Sequence, residues 1–143
     1  MRHRFATSTD ADILGELNHQ LIRDEGHRNR MSIPELVARI KDWLANGYRV
    51  SIFEDDSGVL AYALYREEKD GLYLRQFFVV RHQRRNGVGR QCLKKLVTEI
   101  WPQDKRITVD VLCHNQAGIA FWRAVGFTDY CLTLERTPDQ QTH

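Results

Sequence analysis

Phe77-Phe78-Val79-Val80-Arg81-His82-Gln83-Arg84-Arg85-Asn86-Gly87-Val88-Gly89-Arg90 is the stretch on which the reading of this sequence turns. An apolar strand-like run enters it, a basic loop follows, and two glycines lead into a helix. Val88, Cys92, Leu96 and Ile100 recur at helical spacing on one face, and Pro102 stands just past the end near Trp101. The first N–H groups of such a helix lack intrahelical partners and carry the positive end of the helix dipole. Glycines at 87 and 89 let backbone approach a bulky anion. Arg84, Arg85 and Arg90 add positive charge, so the segment reads as a phosphate or pyrophosphate cradle. The Walker pattern GxxxxGK[ST] is absent. So is GxGxxG, because Cys92 stands where its last small residue would be.

Upstream, Tyr48 to Phe53, Val59 to Arg66 and Leu72 to Val80 read as strands joined by Asp55-Asp56-Ser57-Gly58 and Lys69-Asp70-Gly71 turns, hence as antiparallel hairpins. Arg4 to Thr7 reads as a first strand. Thr9 or Asp10 can cap a helix carrying Ile13, Leu14, Leu17, Leu21 and Ile22, and Asp24 to Arg30 is a polar loop. Ser32 and Glu35 form a capping box around Pro34, and Leu36, Val37, Ile40, Trp43 and Leu44 make the buried stripe of a second helix ended by Asn46-Gly47. Downstream come a strand from Ile107 to Leu112, a helix from Gln116 to Val125 capped by Asn115 and closed by Gly126, and a last strand from Phe127 to Leu134. The order is β-α-α-β-β-β-α-β-α-β. This predicts an α/β fold with a mixed (α+β) sheet holding one parallel strand pair.

The chain has 143 residues and a net charge of +2, which fits a single domain spanning 1–143 with a polar tail from about Thr137. That balance, and the lack of aromatic residues in the basic loop, argue against a nucleic-acid binder. The longest apolar run, Val59 to Tyr65, is too short for a membrane span, and Met1-Arg2-His3-Arg4 leads into no signal-like run. Cys92, Cys113 and Cys131 are odd in number and form no CxxC pair. They are expected as buried small hydrophobes in a cytoplasmic protein, and no metal-ligand spacing is present.

Arg84-x-x-Gly87-x-Gly89 resembles the Gln/Arg-x-x-Gly-x-Gly/Ala acyl-CoA motif of the GNAT superfamily of N-acetyltransferases. Asn115-x-x-Gly118-x-x-Phe121-Trp122-x-x-x-Gly126-Phe127 is similar to that family's second motif, and the element order matches over nearly the whole chain. The resemblance implies a GNAT-type acyl-CoA N-acyltransferase fold with splayed central strands. It implies an enzyme that passes the acetyl group of acetyl-CoA, its co-substrate, to a primary amine by direct attack in a ternary complex. Phe77, Phe78 and Val79 would bind the pantetheine arm through their backbone. Arg84, Arg85, Asn86, Gly87, Val88, Gly89 and Arg90 would hold the pyrophosphate, and Asn115, Phe121 and Trp122 would line the cofactor. An oxyanion donor is expected at a strand bulge near Phe78 or Val79.

Two positions depart from the family pattern. Trp122 stands where a general-acid Tyr is common, and an indole N–H does not titrate near neutrality. The strand Leu72 to Phe77 carries no carboxylate base. Tyr73, Glu25 and Tyr130 are therefore the catalytic candidates, Tyr130 as a replacement acid. Arg75 and His27 are the substrate-binding candidates, Arg75 for an anionic group on the acceptor. Strand alternation places Tyr73, Arg75 and Phe77 on one face. The acceptor is a small-molecule or peptide amine that the sequence does not identify further. The alternative function is a non-catalytic acyl-CoA-binding or sensing module. Many relatives carry a further strand, so an exposed sheet edge covered by a homodimer is expected.

Overall fold

The computed structural model describes residues 1–138. In chain order the elements are β1 (Arg2–Phe5), α1 (Ala11–Glu25), α2 (Ile33–Ala45), β2 (Arg49–Asp55), β3 (Gly58–Glu68), β4 (Gly71–Val79), α3 (Val88–Lys95), β5 (Arg106–Val109) and α4 (Gln116–Ala124). Short 3-10 turns precede α1 and follow β4, and a π-helical turn, Leu96–Ile100, extends α3. The Ser32–Glu35 capping box starts α2 as expected, with the Ser32 hydroxyl accepting from the Glu35 N–H at 3.3 Å.

The strands form one sheet in the order β1-β2-β3-β4-β5. All neighbours are antiparallel except the parallel pair β4–β5. One sheet face buries Val50, Ile52, Tyr62, Leu64 and Phe78 against Leu14, Leu17 and Leu21 of α1 and Ile40 of α2. The other buries Phe53, Ala61, Ala63, Tyr65, Leu72 and Leu74 against Val88, Cys92, Leu93 and Leu96. Two-sided cover explains why β3 reads as a continuous apolar run rather than an alternating one. On the first face α1 and α2 approach closely at Gly15, where an added Cβ would collide with Cγ2 of Val37.

Two features of β4 shape the rest of the molecule. Its pairing with β5 ends at Leu74↔Val109, whereas its pairing with β3 continues to Ala61↔Val79. From Gln76 to Val79 the edge facing β5 therefore has no strand beside it among the described residues, which is the expected splay. The second feature is a bulge: Tyr65 pairs with Leu74 and Leu64 with Gln76, so Arg75 is the extra residue. The bulge reverses the phase of the strand. Before it Leu72 and Leu74 face α3; after it Phe77 and Val79 do, while Phe78 faces α1 and α2. The expectation that Tyr73, Arg75 and Phe77 share a face is corrected by this one residue, because alternation does not survive an insertion. The bulge itself lies at Arg75, not near Phe78 or Val79.

The last strand expected from Phe127 to Leu134 does not form. These residues carry no ladder, and Tyr130, Leu132 and Leu134 are 73%, 86% and 87% exposed. Their alternation is strand-like, but β5 is short, and no pairing of β5 with this segment satisfies their backbone. The expectation of buried cysteines holds for Cys92 and fails for Cys113 and Cys131, which are exposed; all three are free thiols. Among the described residues no helix is long and apolar enough to cross a membrane. The tail expected from Thr137 lies mostly outside the described residues.

Candidate functional site

The unpaired edge of β4 opens directly onto the loop that starts α3. Gly87 is the N-cap of α3 with φ +78°, and Arg85 also takes a left-handed conformation at φ +67°. Two left-handed residues within three positions turn the chain sharply into α3, whose first N–H groups have no intrahelical partner. A Cβ on Gly89 would lie 3.3 Å from the Phe121 ring and 3.5 Å from Val79 Cγ2. A larger side chain would therefore fill the space between the helix start, the β4 edge and α4. This is a cradle shaped by the absence of a side chain, and it suits the acyl-CoA group that the motif implies.

Phe121 and Trp122 of α4 wall the cradle on one side. Phe121 stacks on Phe77 at 6.1 Å between centroids, and Trp122 meets Phe77 edge-on at 5.6 Å. Asn115 Oδ1 accepts from the Gly118 N–H at 3.0 Å and so caps α4. The basic residues of the loop divide into two groups. Arg81 and Arg84 both bond the Asp24 carboxylate at the end of α1, and Arg84 Nε also donates to the Val79 carbonyl at 2.9 Å. These bonds hold the Asp24 carboxyl below the usual carboxylate range, Arg81 most strongly. Arg85 and Arg90 are exposed and make no ion pair among the described residues.

Beside the cradle lies a cleft of about 260 Å³, lined by residues of α1, the α1–α2 loop, α2, β4, β5 and α4. It brings together Glu25, His27, Tyr73 and Arg75 from the sequence candidates, with Phe77 and Trp122 shared with the cofactor side. Glu25 and His27 bond each other at 2.9 Å. The Tyr73 hydroxyl donates to Asp110 at 2.8 Å. Burial, with the nearby Asp110 carboxylate adding to it, pushes the phenol up to about 12. Tyr73 is therefore protonated across the neutral range. Tyr130 is not brought to the cleft: its exposed ring lies against the Arg106 guanidinium at 5.3 Å. The loss of the last strand removes the element that would have carried it inward. A second hollow, about 410 Å³, lies between β1 and α2 and has no carboxylate or imidazole in its lining.

Sequence reasoning missed Arg39, Gln76 and Asp110. Arg39 sits between Leu36 and Trp43 on the buried stripe of α2, where a cation is out of place and is a readable signal. Asp110 directly follows the parallel strand β5, and ligand sites gather beyond the carboxyl ends of parallel strands.

The model of the acetyltransferase (GNAT) family matches residues 18–127. No curated protein sequence gives a significant match. Among solved structures, a mutant of the BH1408 protein from Bacillus halodurans superposes with a TM-score of 0.80 at 21% identity, covering 96% of this chain and 99% of that one. A predicted acetyltransferase with acetyl-CoA from Clostridium acetobutylicum gives 0.76 at 21% identity, over 99% of both chains. The apo aminoglycoside 6'-N-acetyltransferase AAC(6')-IG from Acinetobacter haemolyticus gives 0.76 at 16% identity, over 96% and 97%. At these identities the three structures speak for the fold.

Proposed function

Because the chain belongs to the GNAT acetyltransferase family, a family of acyltransferases, we propose that it transfers the acetyl group of acetyl-CoA to a primary amine held in the cleft, by direct attack within a ternary complex. The observation that carries this reading is the unpaired edge of β4 from Gln76 to Val79, which runs from the α3 cradle at one end to the titratable cleft at the other. The backbone of Phe77, Phe78 and Val79 borders the open edge and offers ladder positions to the pantetheine amides, as a strand would, the Val79 carbonyl being already taken by Arg84. The N–H groups from Arg85 to Arg90 receive the pyrophosphate, with Arg85 and Arg90 as its free cations. Phe121 and Trp122 exclude water from the reacting end, and Asn115 sets the start of α4 beside it. The structures described with acetyl-CoA or CoA on this fold support the choice of co-substrate.

When bound, acetyl-CoA supplies a thioester already activated for acyl transfer. The chain must hold the amine neutral and aimed. The Glu25–His27 pair stands at the cleft mouth to take the proton, directly or through one water. Tyr73, held protonated, would serve the leaving sulfur as a hydrogen-bond donor by turning its one O–H away from Asp110. A thiol ionises at about 8.5 and needs little more than such a bond to depart. Trp122, a donor only, fixes the wall where the family's Tyr stands.

We also place the protein in a reducing, cytoplasmic compartment, consistent with three free thiols, as a single catalytic domain. The exposed alternation of Tyr130, Leu132 and Leu134 beside the open edge of β5 supports a homodimer in which this segment packs against a second copy. Leu132→Glu with Leu134→Glu should then shift the mass seen by light scattering from dimer to monomer. A wild-type monomer would remove the proposal.

Calorimetric titration with acetyl-CoA against an NAD control tests the cofactor. Saturation at about a hundred times Kd should add about 2.7 kcal/mol of stability. Thiol release with an amine panel tests the reaction. Selective binding with no thiol release from any amine would instead make this a non-catalytic acyl-CoA-binding module.

A further inference from the structure

Arg39 and Arg75 are the two cations of the cleft, and neither has a carboxylate partner among the described residues. Their guanidinium carbons lie 4.4 and 4.8 Å from the centroid of the Trp43 ring, so one indole holds both. Arg39 Nη2 donates to Asn18 Oδ1 at 3.1 Å, and Arg75 Nη1 donates to the Tyr48 hydroxyl at 3.3 Å. Arg39 Nε is buried and bonds nothing among the described residues. Burial, and then repulsion from Arg75, lower the proton affinity of Arg39. The nearby Arg66, over the Tyr48 and Tyr73 rings, is already paired with Glu68.

The carboxylates of the same cleft do not answer these charges. Glu25 is turned to His27 and Asp110 to Tyr73. An arginine pair with one member half-buried and no counter-ion is costly in a folded protein, and an anionic ligand relieves that cost. We propose that Arg39 and Arg75 form a clamp for a carboxylate on the acceptor, so that the acceptors are amino acids or similarly small carboxylate-bearing amines. This rests on the acetyltransferase reading above and names its substrate class. The cleft is bipolar: two free cations on the α2 side, and Glu25, His27 and Asp110 on the other. A zwitterion matches it, carboxylate to the arginines and amine to the acids. A polycationic aminoglycoside would set its own ammonium groups against the clamp, and like charges brought together across an interface oppose binding. The volume of about 260 Å³ also suits one amino acid better than a chain of sugar rings.

The test uses matched ligands on the intact protein. The L-amino acids, each beside its carboxamide, are titrated by thermal shift in the presence of CoA, with O-phosphoethanolamine and tobramycin as further arms. At least one amino acid should bind about 10- to 100-fold tighter than its carboxamide, the scale of a charge-assisted hydrogen-bonded pair. Arg75→Gln and Arg39→Gln should each erase the difference between acid and amide. Arg75 is exposed, so its variant is expected to fold even where Arg39→Gln does not. Equal binding of acids and amides, tighter binding of O-phosphoethanolamine than of any amino acid, or preference for tobramycin would each overturn the proposal. Acetyl-CoA binding, titrated separately, reports on the cofactor reading. Its absence would remove that reading and would leave the acid-against-amide comparison still readable.

Discussion

The loop wall before α3 and the wall of the cleft each hold a pair of arginines, and the two pairs are treated in opposite ways. Arg81 and Arg84 share the Asp24 carboxylate, which ties the end of α1 to the loop before α3. Arg39 and Arg75 share only an aromatic ring and neutral oxygens. A neutralised pair is a strut. It holds the loop before the N–H groups of Arg85 to Arg90, and in the proposed reading the phosphates fall to that backbone and to Arg85 and Arg90, which make no ion pair among the described residues. An unneutralised pair is free to receive an anion, which is the role proposed for it. Counting arginines does not tell the neutralised pair from the free one.

The contrast can be broken by substitution. The largest effect should come from Arg39→Gln combined with Arg75→Gln, which should raise the acceptor KM about 100-fold or more while acetyl-CoA affinity stays within about twofold. Two-substrate steady-state kinetics read both. Gly89→Val should do the reverse. It places branched carbon into a gap 3.3 Å from Phe121 and should weaken acetyl-CoA by about 10- to 100-fold in calorimetry, the usual scale of overpacking.

Tyr73→Phe should lower kcat about tenfold with little change in either KM, the scale of one donor lost from a reacting centre. Because the phenol is pushed up to about 12, the wild-type pH–rate profile should show no fall from this group below about pH 11. The smallest effect on turnover belongs to Asp24→Asn, less than about threefold, with a Tm lowered by about 2–4 °C. The folded-state pKa of Asp24 is depressed, so its stabilisation is present above the unfolded carboxylate range and is lost as pH falls through the folded value. The Tm gap between wild type and Asp24→Asn should therefore be full at about pH 7 and close in acid.

The same two walls differ in how much of them can be read from residues. The cradle is contiguous: strand, glycines and helix start occur in order between Phe77 and Arg90, and local backbone rules are enough to join them. The cleft wall is assembled from Glu25, Arg39, Arg75 and Asp110, which come from separate parts of the chain. Nothing local announces their meeting. The bulge at Arg75 is the sharpest case. One unpaired residue reverses the phase of β4, and a period-two argument carried through it puts Phe77 on the wrong face. The caps of α2 and α4 were legible because a cap is a contact within a few residues. The strand expected at Phe127 to Leu134 has the right alternation but pairs with no strand among the described residues, and pairing is not a property of a segment alone.

A crystal structure of the protein with acetyl-CoA bound tests the central claim most directly. The pyrophosphate should lie within hydrogen-bond distance of the N–H groups between Arg85 and Arg90, the pantetheine should run along Gln76 to Val79, and Arg84 should still hold Asp24. A cofactor seated in the hollow between β1 and α2, or a pyrophosphate bound by Arg39 and Arg75, would contradict the account.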